Sequence, residues 1–109
     1  MNKYKNIKTA VDGITFDSKQ EANRYIQLRL LERAGHISNL QCQVRFELIP
    51  KQRDERRVDY IADFVYNEGE QKIAEDVKGV ATQAYILKRK LFKFKYPEIK
   101  FKEIKNEKK

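Results

Sequence analysis

The sequence predicts one α+β domain, in which a mixed sheet packs against two helices. Segments with alternating apolar and polar residues, typical of half-buried strands, are interleaved with two segments that show helix caps and helical spacing. The chain of 109 residues is 40% hydrophobic, which is enough for one core but not for two. We therefore expect a single domain over 1–105, followed by a basic tail at 106–109.

The N-terminal part is expected to form a hairpin and a helix. Asp12 and Gly13 form a turn signal between two short apolar segments. Ser18 suits a helix N-cap, Glu21 three residues later completes a capping box, and Gly35 suits the C-terminal stop. The predicted strands and helix cover 9–11, 14–16 and 17–35.

The middle of the chain predicts three strands. Apolar residues occupy every second position of the first one, so they would share one face of a half-buried strand. These residues are Leu40, Cys42, Val44, Phe46 and Leu48. Pro50 ends this strand, and a charged loop follows at 51–57. The next two strands lie at roughly 58–66 and 71–80, around the turn-like sequence NEGE at 67–70.

A second helix and a last strand complete the predicted order. Thr82 can cap a helix that continues to about Tyr96, and Pro97 stops it. Four apolar residues recur at 3-4-3 spacing and are expected to form a stripe that faces the core. They are Ala84, Leu87, Leu91 and Phe94. The sequence EIKFKEI, residues 98–104, gives a short alternating strand.

Charge and composition narrow the possible partners. The formal net charge is +8 and the pI is near 9.6, which favours a polyanionic partner, although a merely soluble basic protein would have the same balance. No apolar run is long enough to span a membrane, and the N-terminus lacks the apolar stretch of a secretory signal. Cys42 alone cannot form an intrachain disulfide, and with His36 it cannot make the usual zinc site. We expect a cytoplasmic protein.

The most informative residues are Asp63, Asp76 and Lys78, which lie in two apolar segments. Because side chains alternate faces along a strand, Asp76 and Lys78 point the same way. Glu75 and Val77 point the other way. If the two segments pair as a hairpin, Asp63 can meet Asp76. Two carboxylates beside an ammonium on buried strands are costly unless a divalent cation such as Mg²⁺ compensates them, which indicates a metal-dependent phosphodiesterase site.

These residues also have simpler explanations. In the simpler explanation, Asp63 is only an edge-strand charge that discourages aggregation. Asp76 and Lys78 would be an ordinary solvent-exposed pair. Glu75, directly before Asp76, makes the choice of acidic residue ambiguous, and strand parity with Lys78 favours Asp76.

Glu21 also allows two interpretations. It would be only the capping-box partner of Ser18, which alone explains its position. On a helical wheel, however, Glu21 shares a face with Tyr25 and Leu28, so its carboxylate would face inward. Arg24, one turn further on, would pair with Glu21 or reach a phosphate.

Three segments resemble the PD-(D/E)XK nuclease superfamily. They are FDSKQEANRY (16–25) with Glu21, YIADFVY (60–66) with Asp63, and EDVKG (75–79) with Asp76 and Lys78. The predicted order is similar to that superfamily's αβββαβ core, so the resemblance covers nearly the whole chain and implies a restriction-endonuclease-like fold. Within the superfamily, these segments look like small phage and prophage nucleases related to Holliday-junction resolvases. Ala62 stands where the superfamily's name has proline.

The resemblance implies hydrolysis of DNA phosphodiester bonds in the cytoplasm, that of the host if the protein is phage-encoded. Asp63, Asp76 and the carbonyl of Val77 would hold one Mg²⁺ or Mn²⁺. Glu21 would complete that site or bind a second ion. The metal would lower the pKa of a bound water and polarise the scissile phosphate. Lys78 would orient or deprotonate the water or neutralise charge on the phosphate, and the last role is favoured because a lysine near two carboxylates stays protonated until metal binds.

Two basic clusters would supply salt-sensitive affinity for phosphate backbones. One lies on the second helix, where Lys88 borders the apolar stripe near the sheet, and the other lies in the charged loop. Lysines that serve only solubility would give the same pattern. The candidate DNA-binding residues are Arg24, Arg53, Arg56, Arg57, Gln83, Tyr85, Lys88, Arg89, Lys90 and Lys93.

The leading hypothesis is a Mg²⁺-dependent, structure-selective endonuclease that acts on branched or duplex DNA. No helix-turn-helix or zinc-finger pattern predicts base-specific readout. A branched substrate has two symmetric scissile strands, so a homodimer would be required to cut both, as the resolvase resemblance suggests. The alternatives are a non-catalytic nucleic-acid-binding module of the same fold and an adaptor whose charges serve a protein partner.

Overall fold

The computed structural model describes residues 8–78 and 81–105, except for the side chain of Lys78. The architecture is α+β, with a small antiparallel hairpin, a mixed four-stranded sheet and two helices, and it is consistent with a restriction-endonuclease-like core. The elements are β1 (Thr9–Val11), β2 (Ile14–Phe16), α1 (Lys19–Arg33), β3 (Ser38–Ile49), β4 (Val58–Glu68), β5 (Gln71–Lys78), α2 (Gln83–Lys95) and β6 (Lys100–Lys105). The tail predicted at 106–109 and the strand end predicted at 79–80 lie outside the described residues.

The sheet has the strand order β3-β4-β5-β6. The first three strands pair antiparallel, whereas β6 runs parallel to β5, with α2 as the crossover between them. None of the described helices is both long and apolar enough to cross a membrane.

Each helix covers its own face of the sheet, so the domain has two core clusters, and the expectation that the chain suffices for only one core is wrong. The α1-side core consists of Phe16, Ala22, Tyr25, Leu28, Ile37, Phe64, Tyr66, Ile73 and Val77. The α2-side core consists of Phe46, Leu48, Tyr60, Ala62, Val65, Ala74, Tyr85, Phe92 and Ile99. Successive residues of β5 therefore alternate between the two cores, as expected for a strand buried on both faces.

The local turn and cap signals form as predicted. Asp12 and Gly13 adopt φ values of 53° and 77°, the paired positive angles of a type I′ hairpin turn. Ser18 caps α1, because its Oγ accepts the backbone N–H of Glu21 at 3.1 Å. Gly35, with φ of 84°, follows the last turn of α1 in the left-handed conformation that ends many helices.

The prediction that the apolar residues of 40–48 share one face is wrong. Leu40 and Cys42 pack against the α1-side core, whereas Val44 packs against the α2-side core. Gln43 lies between them with φ of 56°. A left-handed residue interrupts the alternation of an extended strand, so side chains before and after it fall on opposite faces of the sheet.

β4 changes face at the same level as β3. Ala62 belongs to the α2-side core and Phe64 to the α1-side core, although they are two residues apart. The pairs Val44↔Ala62 and Cys42↔Phe64 show that the register is kept across this point. In both strands, the side chains therefore change from one face of the sheet to the other at the same level, and Asp63 lies at this point.

The core-facing stripe predicted for α2 is also wrong. Phe94 is 84% exposed and Leu87 is 60% exposed, while Tyr85 and Phe92 are buried. The helix is rotated so that Phe92 packs on aromatic residues of the sheet, with its ring centroid 5.0 Å from that of Phe46. The aromatic cluster is buried in preference to the predicted apolar stripe, because aromatic rings bury more area and gain favourable edge contacts. Of the predicted stripe, Ala84, Leu87 and Phe94 are exposed, whereas Leu91 is half-buried against the α2-side core.

Candidate functional site

The candidate site lies where β4 and β5 stop pairing. Their antiparallel register ends at Phe64↔Glu75, and its continuation by one position would bring Asp63 opposite Asp76. The backbone N–H of Val77 donates to Asp63 Oδ2 at 2.7 Å. The carboxylate of Asp63 thus bridges the two strands at the point where their ladder ends, as the predicted hairpin requires.

Asp63 also contacts the reversal in β3. Gln43 Nε2 donates to Asp63 Oδ1 at 3.4 Å, a long hydrogen bond. The left-handed backbone of Gln43 and the carboxylate of Asp63 are therefore neighbours across the strand pair. The same distortion that redirects β3 and β4 positions this acidic side chain.

Asp76 lies on the α2 side of β5 and is 6% exposed. The Tyr60 hydroxyl donates to Asp76 Oδ1 at 2.8 Å. Burial, followed by the charge of Asp76, raises the pKa of Tyr60, so this hydroxyl keeps its proton and remains a donor. The hydrogen bond fixes the orientation of the Asp76 carboxylate.

Glu75 occupies a different environment from Asp76. It is fully buried on the α1 side, where Arg24 donates Nε to Oε1 at 2.8 Å and Nη2 to Oε2 at 2.6 Å. The Tyr66 hydroxyl also donates to Glu75. Because these partners engage both oxygens of Glu75, Asp76 is the acidic residue of β5 that belongs to the candidate site. Arg24, predicted to pair with Glu21 or to reach a phosphate, instead forms a bidentate pair with Glu75.

The third acidic residue, Glu21, is half-buried at the N-terminus of α1. Its pKa is raised from 4.5 to about 7, first by burial and then by the negative charges of Asp63, Asp17 and Asp76, in that order. A hydrogen bond from the backbone of Asp17 lowers it in part. The carboxylates of Glu21, Asp63 and Asp76 therefore interact electrostatically across three elements of the fold.

The donor set suits a hard divalent cation, which carboxylate oxygens prefer to bind. Within residues 8–78 and 81–105, no three His, Cys, Asp or Glu side chains are close enough to form a preassembled metal cluster. The three carboxylates are thus within electrostatic reach but not at ligand distances. Burial and the neighbouring negative charges both favour the protonated form of Glu21, and a bound cation would offset the repulsion between the carboxylates. A role for the Val77 carbonyl stays a prediction, and the side chain of Lys78 lies outside the described part.

Sequence reasoning missed three residues around the site. Besides Gln43 and Tyr60, it missed Glu103 of β6, which pairs in parallel register with Asp76. Tyr85 and Arg89 both donate to Glu103 Oε2, and the Tyr85 hydrogen bond is the main cause that lowers the pKa of Glu103. An acidic residue in an alternating strand is a pattern that could have marked Glu103 as a candidate from the sequence. Its position beside Asp76 depends on a parallel register that no local pattern encodes.

The predicted DNA-binding residues separate into two groups. Several are engaged within the fold: Arg57 pairs with Asp59 at 2.9 Å, Arg89 pairs with Glu103 at 3.1 Å, and Lys93 lies 5.4 Å from the centre of the Phe101 ring. Tyr85 is buried, and Lys88 is half-buried on the same side of α2 as Tyr85. Arg53, Arg56, Gln83 and Lys90 are exposed, as are Arg57 and Lys93 despite their contacts.

A comparison with curated proteins finds no match, and a comparison with solved structures finds none. One family model matches the sequence over residues 1–109, which is the whole chain. The chain therefore belongs to the family described as "Protein of unknown function (DUF1064)".

Proposed function

We propose that this protein is a Mg²⁺- or Mn²⁺-dependent DNA endonuclease of the PD-(D/E)XK type. The observation that carries the proposal is that Asp63 reaches across to β5 beside Asp76, through its hydrogen bond with the Val77 N–H, with Glu21 near enough for both charges to add to the effect of burial on its pKa of about 7. Repelling carboxylates in a half-buried site are costly for folding, and such arrangements concentrate at functional sites. The restriction-endonuclease-like arrangement of strands and helices is the second support.

The acidic residues would hold the cation. A bound Mg²⁺ or Mn²⁺ would supply a water of lowered pKa and would polarise the scissile phosphate. Asp63 and Asp76 would bind this ion together with the carbonyl of Val77. Glu21, after losing its proton, would complete the site or hold a second ion. Lys78 would neutralise the charge that develops on the phosphate.

Hydrogen bonds from neighbouring groups keep the ligands oriented. The Val77 N–H holds one oxygen of Asp63, and the Tyr60 hydroxyl holds one oxygen of Asp76. Partners of this kind fix the direction of metal-binding carboxylates and raise metal affinity.

The proposed substrate is branched or duplex DNA, recognised by its shape. The net charge of +8 and the exposed basic residues support affinity for phosphate backbones. Because one domain supplies one site, cutting both strands of a branched molecule would require a homodimer. Analytical ultracentrifugation of the protein with and without a four-way junction tests this part of the proposal.

Metal binding is tested first by calorimetric titration with Mn²⁺. We expect binding by the parent protein and loss of binding in Asp63→Asn and Asp76→Asn. Asp54→Asn is the matched control, because Asp54 is an exposed loop residue and the change removes the same charge. Equal binding by the parent, both site variants and the control would reject this metal site.

Cleavage is tested with labelled four-way-junction and linear duplex DNA, each with Mn²⁺ or with EDTA. We expect metal-dependent nicking that is lost in Asp76→Asn and Lys78→Ala and retained in Asp54→Asn. Cleavage that survives both site variants contradicts the assignment. Undiminished DNA binding in EDTA with no nicking under any condition would instead support a non-catalytic binding module.

A further inference from the structure

A groove separates α1 from β6 next to the candidate site. It has a volume of about 430 Å³. The helix contributes Lys19, Gln20, Asn23 and Gln27, and the strand contributes Ile104 and Lys105. We call this cavity the α1–β6 groove.

The α1–β6 groove starts at the site's own elements. Gln20 directly precedes Glu21 on α1. On the sheet, Ile104 pairs in parallel register with Val77, and Lys105 pairs with Lys78. A strand of nucleic acid bound at the carboxylates can therefore continue into this groove without leaving the same end of the sheet.

The charge of the lining favours an anionic ligand. Lys19 and Lys105 are both exposed and positively charged, and none of the described residues that line the groove is acidic. Arg24 also lines it, but its charge is paired with that of Glu75. Lysines of this kind bind phosphates as point charges.

The remaining lining is typical of contacts to bases. Gln20, Asn23 and Gln27 follow one another at helical spacings of three and four residues, so they share one face of α1. Side-chain amides carry both donors and acceptors and pair with base edges. The groove's volume of about 430 Å³, near the lower end of ordinary ligand clefts of about 300–1,000 Å³, suits a short segment of one strand.

We propose that the α1–β6 groove binds a single-stranded segment of the DNA substrate, with the lysines on its phosphates and the amides on its bases. The identification of the ligand as DNA rests on the proposed function, whereas the existence of the groove does not. On a branched molecule, such a segment is available where strands exchange or separate. The groove would then select opened structures over continuous duplex.

The binding test uses fluorescence anisotropy with a labelled single-stranded oligonucleotide in EDTA, where no cleavage occurs. For Lys19→Ala/Lys105→Ala we expect about tenfold weaker binding at low salt and a log K against log salt slope that is shallower by about 1.4. The control Lys72→Ala/Lys100→Ala removes the same charge at exposed positions away from the groove. Equal losses in both double variants, or equal competition by blunt duplex, would overturn the proposal.

The role of the bases is tested with Asn23→Ala and an abasic oligonucleotide of the same length. We expect this variant to weaken binding of the normal strand several-fold and to leave binding of the abasic strand unchanged. Equal weakening of both strands contradicts base contacts. Groove binding without any cleavage would refute the nuclease alone, and cleavage with unaltered binding by the lysine variant would refute the groove alone.

Discussion

Replacing Glu21 with glutamine should stabilise the metal-free protein at alkaline pH. Below pH 4.5 the carboxyl group is protonated in the folded and the unfolded chain, so parent and Glu21→Gln have equal stability. As the pH rises through the folded pKa of about 7, the parent loses stability because its folded state binds this proton more tightly than the unfolded chain does. Glutamine keeps the shape of the side chain and removes the titration.

The size of the effect follows from the pKa. A rise from 4.5 to about 7 corresponds to at most ~3 kcal/mol, since each pKa unit is worth ~1.4 kcal/mol. Solvent screening of a half-buried carboxylate reduces the expected gain at pH 8 to about 1–2 kcal/mol. Urea unfolding monitored by circular dichroism at pH 4.5, 6, 7 and 8, with EDTA present, measures it.

The control for this experiment is Glu70→Gln, which makes the same substitution at an exposed turn residue. With Mn²⁺ at pH 7.5, the parent should become more stable than Glu21→Gln, because the ion stabilises only a folded protein that binds it. A constant difference between Glu21→Gln and the parent from pH 4.5 to 8 would refute the electrostatic account of the three carboxylates.

Three further predictions test the fold around the site. Arg24→Leu should cost about 3–5 kcal/mol because it leaves the buried carboxylate of Glu75 unpaired, and Arg24→Leu/Glu75→Leu should recover most of it, as measured by urea unfolding. Phe92→Ala should cost about 3–5 kcal/mol of folding stability, and Phe94→Ala less than about 0.5 kcal/mol. A larger loss for Phe94→Ala in thermal melts would mean that the predicted stripe is the buried face of α2. Gln43→Gly should be neutral or stabilising by up to about 1 kcal/mol, whereas Gln43→Val should destabilise, because only glycine tolerates φ of 56° without cost.

Most of the helix and strand boundaries were predicted from interactions between residues that are close together in the sequence. The Asp12-Gly13 turn, the Ser18 cap and the Gly35 stop depend on residues a few positions apart, so each was visible in the sequence and each formed. Periodicity was less reliable. The regular apolar positions of β3 and of α2 could not reveal a left-handed residue in one strand or the rotation of a helix onto an aromatic cluster.

At the acidic site, too, local patterns predicted some features, whereas others depend on contacts between residues distant in the chain. Strand alternation and the hairpin were enough to predict that Asp63 meets the neighbouring strand and that Asp76 and Glu75 lie on opposite faces of β5. The functional role of Asp76 stays a prediction. Alternation alone could not predict that Arg24 is held by Glu75, because that pair joins a helix to a strand far away in the chain. It also could not predict the Tyr60 hydrogen bond to Asp76.

By itself, the sequence determined the order of the elements, the turns and caps, and the acidic residues that can converge, because local propensity and strand parity depend on neighbours in the chain. Only the tertiary structure decided which face of α2 is buried, where β3 and β4 reverse, and which partner each buried charge takes. Those outcomes depend on competition between distant side chains for the same space and the same hydrogen bonds. The parallel pairing of β6 with β5, which creates the α1–β6 groove, is decided at that level too.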